Sequence, residues 1–330
     1  MRKIAAIVAA LSFAALAADA GAQERIRVAG AAQPGSVMEG IARTLIENFN
    51  KGAGGKYQME YQFVGSDQEL TQQVVRGRLE IGTASLAGAA ISVPEGAVMS
   101  LPYLWASDAE RIWVSDNVVR PVIDDIYLGR GLVIIGMAET GWANVFCKTT
   151  CDSPEELKGR RFRVGPATSS KLFWEGMGVN GVQLALPDFF TGLEQGMVEG
   201  GDLPFTYYVT TPAAQLAKHY VMTQNYHHDQ PFYANKAFFE KLPKDIQALL
   251  KSAMPSNEEM RRRQAADYQK RAEAFKAGGG KIVDLTDAQR AAFAARVTPG
   301  NEGLVATLPG RSRDLYNAVL EGKKRYAASR

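Results

Sequence analysis

The chain has 330 residues, 46% of them hydrophobic and 22% charged, with a formal net charge of +3. That composition can bury full cores and carries no bias toward disorder. The charge is spread without a basic block, and Lys323-Lys324-Arg325 reads as a solvated helix face, so nucleic acid is not an expected partner. The length exceeds the roughly 250–300 residues at which a single core stops growing, so two lobes are expected.

Arg2 and Lys3 open the chain, an apolar run from Ile4 to Ala17 follows, and small residues lead to Ala20 and Ala22. A positive start, an apolar stretch and an A-x-A site predict a secretory signal peptide over residues 1–22. The run is short of the roughly 20 residues a membrane-spanning helix needs. The mature chain is expected to begin near Gln23 or Gly21, in the periplasm, and to be soluble, since no second long apolar run follows.

Arg25–Ala29 reads as a first strand. Val37, Ile41, Leu45 and Phe49 recur at helical spacing and predict a helix from Val37 to Asn50, stopped by Gly52. Tyr57–Val64 alternates like a strand, Glu69–Arg76 is helical and closed by Gly77, and Leu79–Thr83 is a short strand. This β-α-β-α-β order predicts a mostly parallel sheet flanked by helices. Further on come strands at Leu132–Gly136 and Arg161–Val164, a short helix capped by Ser153 with Pro154 in its first turn, and a helix from Phe189 to Gln195. Ser256–Ala277 is the longest helical stretch.

The two cysteines, Cys147 and Cys151, have no second pair and no nearby His to complete a zinc site. In an exported chain a local disulfide is expected over two free thiols. No G-x-S-x-G, H-E-x-x-H or phosphate-loop motif occurs. His219, His227 and His228 read as surface or packing residues, because strand neighbours point to opposite faces and no other ligand type clusters with them. Neither catalysis nor a metal or cofactor is expected.

A series of motifs in fixed order carries more information. Gln73–Gly82 (QVVRGRLEIG) precedes Val93-Pro94-Glu95 and Leu101–Leu104 (LPYL). Leu157–Val164 (LKGRRFRV), Leu193–Gly200 (LEQGMVEG), Tyr220–Thr223 and Asn235-Lys236 before Leu242-Pro243 complete the series. The set resembles the extracytoplasmic solute receptors of tripartite ATP-independent periplasmic (TRAP) transporters, the DctP-type family, over nearly the whole mature chain. The resemblance implies a type II periplasmic-binding-protein fold, an α/β architecture of two lobes around a ligand cleft with a long lobe-spanning helix. The lobes are expected at 23–140 plus about 229–268, and at 141–228 plus about 269–330. The implied partners are a small carboxylate-bearing solute and the membrane permease subunits. A periplasmic sensor or adaptor on the same fold, and an exported hydrolase or lyase, are the other readings.

The family's carboxylate-gripping arginine falls at Arg163, whose planar guanidinium can hold a carboxylate bidentately where a lysine cannot. Arg161 shares its strand face and is expected in solvent. Two positions depart from the family pattern. Ala143 follows Gly141-Trp142 where many members have a second arginine, and Asp202-Leu203-Pro204 stands where they have Glu-Asn-Pro. The pocket thus lacks one charge and one amide, which favours a single-carboxylate or a larger, more apolar solute. Trp142, Trp174, Phe205, Tyr207 and Tyr208 are candidate aromatic walls, though any one such residue is more often simply core. Asp202 is a further candidate contact, and Asp67 is either an acceptor for solute hydroxyls or a solvated loop residue.

Overall fold

The computed structural model describes residues 23–32 and 34–330, so the expected signal peptide at 1–22 lies outside the described residues. In the first lobe β1 (Glu24–Gly30) buries Ile26, Val28 and Ala29. Helix α1 (Val37–Gly52) starts at Ser36, whose hydroxyl accepts from the Glu39 backbone N–H, and it buries Met38, Ile41, Leu45 and Phe49 along one face. Next come β2 (Tyr57–Phe63), α2 (Asp67–Val75, capped by Ser66) and β3 (Ile81–Thr83). β2, β1 and β3 are parallel neighbours, as the alternation of strands and helices predicts.

A 3₁₀ segment (Pro94–Ser100), α3 (Asp108–Val114), a π-helical turn (Ser115–Val119) and α4 (Arg120–Gly129) follow. They lead into β4 (Leu132–Cys147), which is 16 residues long where only Leu132–Gly136 was expected. The second lobe adds α5 (Pro154–Leu157), β5 (Arg161–Val164), α6 (Thr168–Gly176), β6 (Asn180–Gln183), α7 (Leu186–Glu194), β7 (Gly200–Pro204), α8 (Phe205–Tyr208) and α9 (Ala213–Leu216). β8 (His219–Asn235) then runs for 17 residues antiparallel to β4, from Cys147↔His219 to Leu132↔Asn235. Three register shifts along this ribbon bend it from one lobe into the other. The sheet order is β2-β1-β3-β8-β4-β7, and β5 and β6 pair separately.

After α10 (Lys236–Lys241) and α11 (Lys244–Ser252), α12 (Asn257–Ala277) packs on α1 and β4 in its first part and on α8 and β9 (Lys281–Val283) beyond, spanning both lobes as the resemblance implied. Of the last helices, α13 (Asp287–Val297) sets Phe293 and Val297 in the second-lobe cluster with Phe162 and Trp174. α14 (Gly300–Thr307) and α15 (Ser312–Ala328) return to the first lobe, where Val305, Leu315 and Val319 join Val98, Val114 and Ile123. The sequence alone assigns about 269–330 to the second lobe, whereas Val305, Leu315 and Val319 pack in the first. The apolar stripe of α15 meets its complement on α3 and the π turn, which sequence periodicity does not identify. No helix among the described residues is long and apolar enough to cross a membrane.

Cys147 and Cys151 form the expected disulfide, both buried at the end of β4. Because the bond closes so short a loop, the chain-entropy contribution is small, and replacing both cysteines by serine should cost about 2 kcal/mol in urea unfolding.

Candidate functional site

Arg163 stands on β5, whose Phe162, Arg163 and Val164 are all buried beside β7. Its Nε donates to the Leu184 carbonyl at 3.1 Å, and the guanidinium lies over the Phe189 ring, 5.5 Å from the centroid. The Nη1–Nη2 edge makes no hydrogen bond with another described residue. Burial lowers the guanidinium's pKa, and Asp202, Tyr226 and Tyr207 act against that lowering. Asp202 therefore compensates Arg163 through space. Its own oxygens are taken by Trp174 Nε1 (3.1 Å), Asn225 Nδ2 (3.4 Å) and the Tyr226 hydroxyl. Burial raises the Asp202 pKa, a shift that the Tyr226 hydrogen bond and the Arg163 charge oppose.

Tyr226, His228 and Gln230 share one face of β8, while His227 and Asp229 share the other. Gln230 donates to Thr83 Oγ1 at 3.2 Å and accepts from Thr140 Oγ1 at 2.8 Å. The Tyr226 face thus runs from the Arg163–Asp202 pair in the second lobe to the end of β3 in the first. Burial pushes the Tyr61 hydroxyl on β2 up to about 12, and Glu39 and Tyr207 on α8 add to the rise. Asp67, at the start of α2, accepts from the Ser85 N–H (3.1 Å) and hydroxyl (2.9 Å), and burial still lifts its pKa to about 6.

Residues 28–304 match the family described as bacterial extracellular solute-binding protein, family 7, or DctP. The chain belongs to this family. Among curated relatives, a solute-binding protein of Verminephrobacter eiseniae is 26% identical over 289 residues, 86% of either chain. The 2,3-diketo-L-gulonate-binding periplasmic protein YiaO of Escherichia coli is 25% identical over 266 residues, 78% of this chain and 79% of that one. Among solved structures, the sugar acid binding protein DctPAm of Advenella mimigardefordensis, in complex with galactonate, superposes with a TM-score of 0.85 at 21% identity over 92% of this chain and 98% of its own. A TRAP periplasmic solute binding protein of Desulfovibrio salexigens with bound orotic acid gives 0.85 at 16% identity, over 92% and 99%. The two-lobed α/β fold is therefore shared.

Within this family-7 receptor the expected contacts separate into two groups. Arg163 keeps one guanidinium edge without a partner among the described residues, Tyr207 is half-buried, and Asp67 is held by Ser85 beside Tyr127 and Tyr233 of the first lobe. Trp174 is fully buried, stacked on Phe162 at 4.9 Å, and with Asp202 it forms an internal support for Arg163 instead of a ligand wall. Phe205 is core as well, within 5.0 Å of both the Tyr220 and Tyr268 rings, and the Tyr208 hydroxyl donates to the buried Ala217 carbonyl. Trp142 pairs across strands with His227, on the face opposite Tyr226, and donates to Asp108 at 3.0 Å. Arg161 is exposed and donates to the Gly196 carbonyl. Ala143 pairs with Tyr226, whose ring occupies the cluster that a longer side chain at 143 would enter, and Leu203 is buried among Phe205 and Tyr208. Tyr61, Ser85 and Tyr226 were not singled out in the sequence. The polar run from Gln224 to Gln230 shows no apolar alternation, so the sequence offers no signal for Tyr226.

Proposed function

We propose that this family-7 protein is the periplasmic receptor of a TRAP transporter, binding an organic solute by its carboxylate between the lobes and passing it to the membrane permease without chemical turnover. The observation that carries this reading is the Arg163 guanidinium. It is buried and held by Leu184 and Phe189, it is balanced at a distance by a carboxylate with other partners, and its Nη1–Nη2 edge is uncommitted. That is a preorganised fork for a carboxylate. The relatives named for 2,3-diketo-L-gulonate and galactonate support an acid as solute. Thermal-shift and calorimetric screens should show that sugar acids and other small organic acids raise Tm, while the corresponding uncharged sugars do not. Product analysis after incubation should recover the acid unchanged. Stabilisation by the uncharged sugars alone would overturn the carboxylate reading.

Asp67 adds a pH signature. Its carboxyl is lifted from 3.8 to about 6, so at neutral pH the folded protein carries a charge that burial disfavours, worth at most about 3 kcal/mol. Stability from this group is full below the unfolded value and is lost as pH rises through about 6. Asp67→Asn should therefore raise the Tm of the ligand-free protein at pH 7.5, and the gain should vanish near pH 4.

A further inference from the structure

The three histidines differ in one respect. His219 is tied to Asp152 and His227 to Asp229, but no hydrogen bond joins the His228 ring to another described residue. Its ring centroid lies 5.3 Å from that of Tyr226. Tyr226, His227 and Asp229 around it are buried, whereas His228 keeps part of its surface. Its partner on β4 is Gly141, at a register shift and with φ of 99°, so no side chain covers the imidazole from that strand. A packing histidine in such a strand would be expected to spend its polar atoms as His219 and His227 do.

From this geometry we infer that His228 is a second solute contact beside Arg163, and that the solute carries a hydroxyl or keto oxygen within a bond or two of its carboxylate. The inference rests on the carboxylate reading of Arg163. Tyr226, which shares a strand face with His228, reaches the Asp202 carboxylate that balances Arg163, and the Arg163 charge is felt at the His228 ring itself, so the two groups are neighbours. The charged and titratable groups acting on His228 are Arg163, His227 and Asp229, with Tyr226, Asp202 and Tyr207 around the guanidinium. Burial first, then His227, lowers its pKa to about 4, so the ring is neutral at periplasmic pH. A neutral imidazole offers one donor and one acceptor. It can accept from a hydroxyl or donate to a keto oxygen without adding charge, and it supplies the polar group that Leu203 does not.

Calorimetry with D-galactonate, 2-keto-D-galactonate and 2-deoxy-D-galactonate tests this. Wild type should bind the first two at least about tenfold more tightly than the third, one good hydrogen bond apart. His228→Ala should erase that preference, leaving the deoxy acid within about threefold of its wild-type affinity, since no hydrogen bond to it is lost. His228→Asn should keep part of the preference, and it covers the case in which the alanine variant folds poorly. On adding D-galactonate, the His228 ring nitrogens should shift in ¹⁵N NMR. Equal loss for all three acids in both variants, an unmoved His228 resonance, or failure of wild type to bind any of them would overturn the inference. Arg163→Ala separates the two layers. If it binds as wild type does, the carboxylate reading fails; if it loses binding while His228→Ala keeps the preference, only His228 is wrongly assigned.

Discussion

Arg163→Ala should weaken binding of the acid solute by at least about tenfold to a hundredfold while leaving the fold intact. A hydrogen bond to a charged group contributes about 1.5–3 kcal/mol, and each 1.4 kcal/mol is a factor of ten. A bidentate grip in a closed cleft belongs at the upper end of that range. Position 143, where the family pattern puts a second arginine, is alanine and packs beside Tyr226. Arg163→Lys should recover only part of the loss, since an ammonium is a point charge and cannot reproduce the fork over Phe189. Calorimetry with the cognate acid reads both variants, and circular dichroism checks their fold. Wild-type affinity in a folded Arg163→Ala would mean that the solute is held by something other than its carboxylate.

Asp202→Ala should be the most destabilising single substitution at the site, costing about 3–5 kcal/mol, the range for removing one partner of a buried charge pair. Three donors, from Trp174, Asn225 and Tyr226, would lose their acceptor at once, and Arg163 would be left buried without its balancing charge. This cost exceeds the net worth of the pair. Burial already lifts the Asp202 carboxyl above the usual range, so its charge at neutral pH is only partly offset by its partners. Asp202→Asn keeps an acceptor and removes only the charge, so it should cost clearly less. Urea unfolding of both variants measures the difference. Equal costs would place the effect in the lost charge that balances Arg163 and not in the hydrogen bonds.

The first lobe was legible because local signals and tertiary packing agree there. Ser36 caps α1, its apolar positions recur at helical spacing, and the left-handed Gly54-Gly55 pair follows its Ala53 C-cap. The long ribbon was not. Gly136, Gly141 and the polar run from Gln224 to Gln230 hide 16- and 17-residue strands from any alternation test, and those irregularities are the bulges that carry the ribbon between the lobes. At the site, Arg163 was legible through its motif. Asp202 and Trp174 read as candidate solute contacts, and in the structure they bond to each other in the interior. Nothing in a sequence says whether a buried carboxylate meets a solute or an indole N–H. Tyr226 and His228 were passed over because their common face depends on a register set by β4, more than eighty residues earlier in the chain.

A crystal structure of the receptor with a bound acid tests the central claim most directly. The carboxylate should lie between the lobes, with both oxygens on the Nη1–Nη2 edge of Arg163, and Asp202 should still be held by Trp174 and Tyr226. An acid whose carboxylate sits away from Arg163 would contradict it.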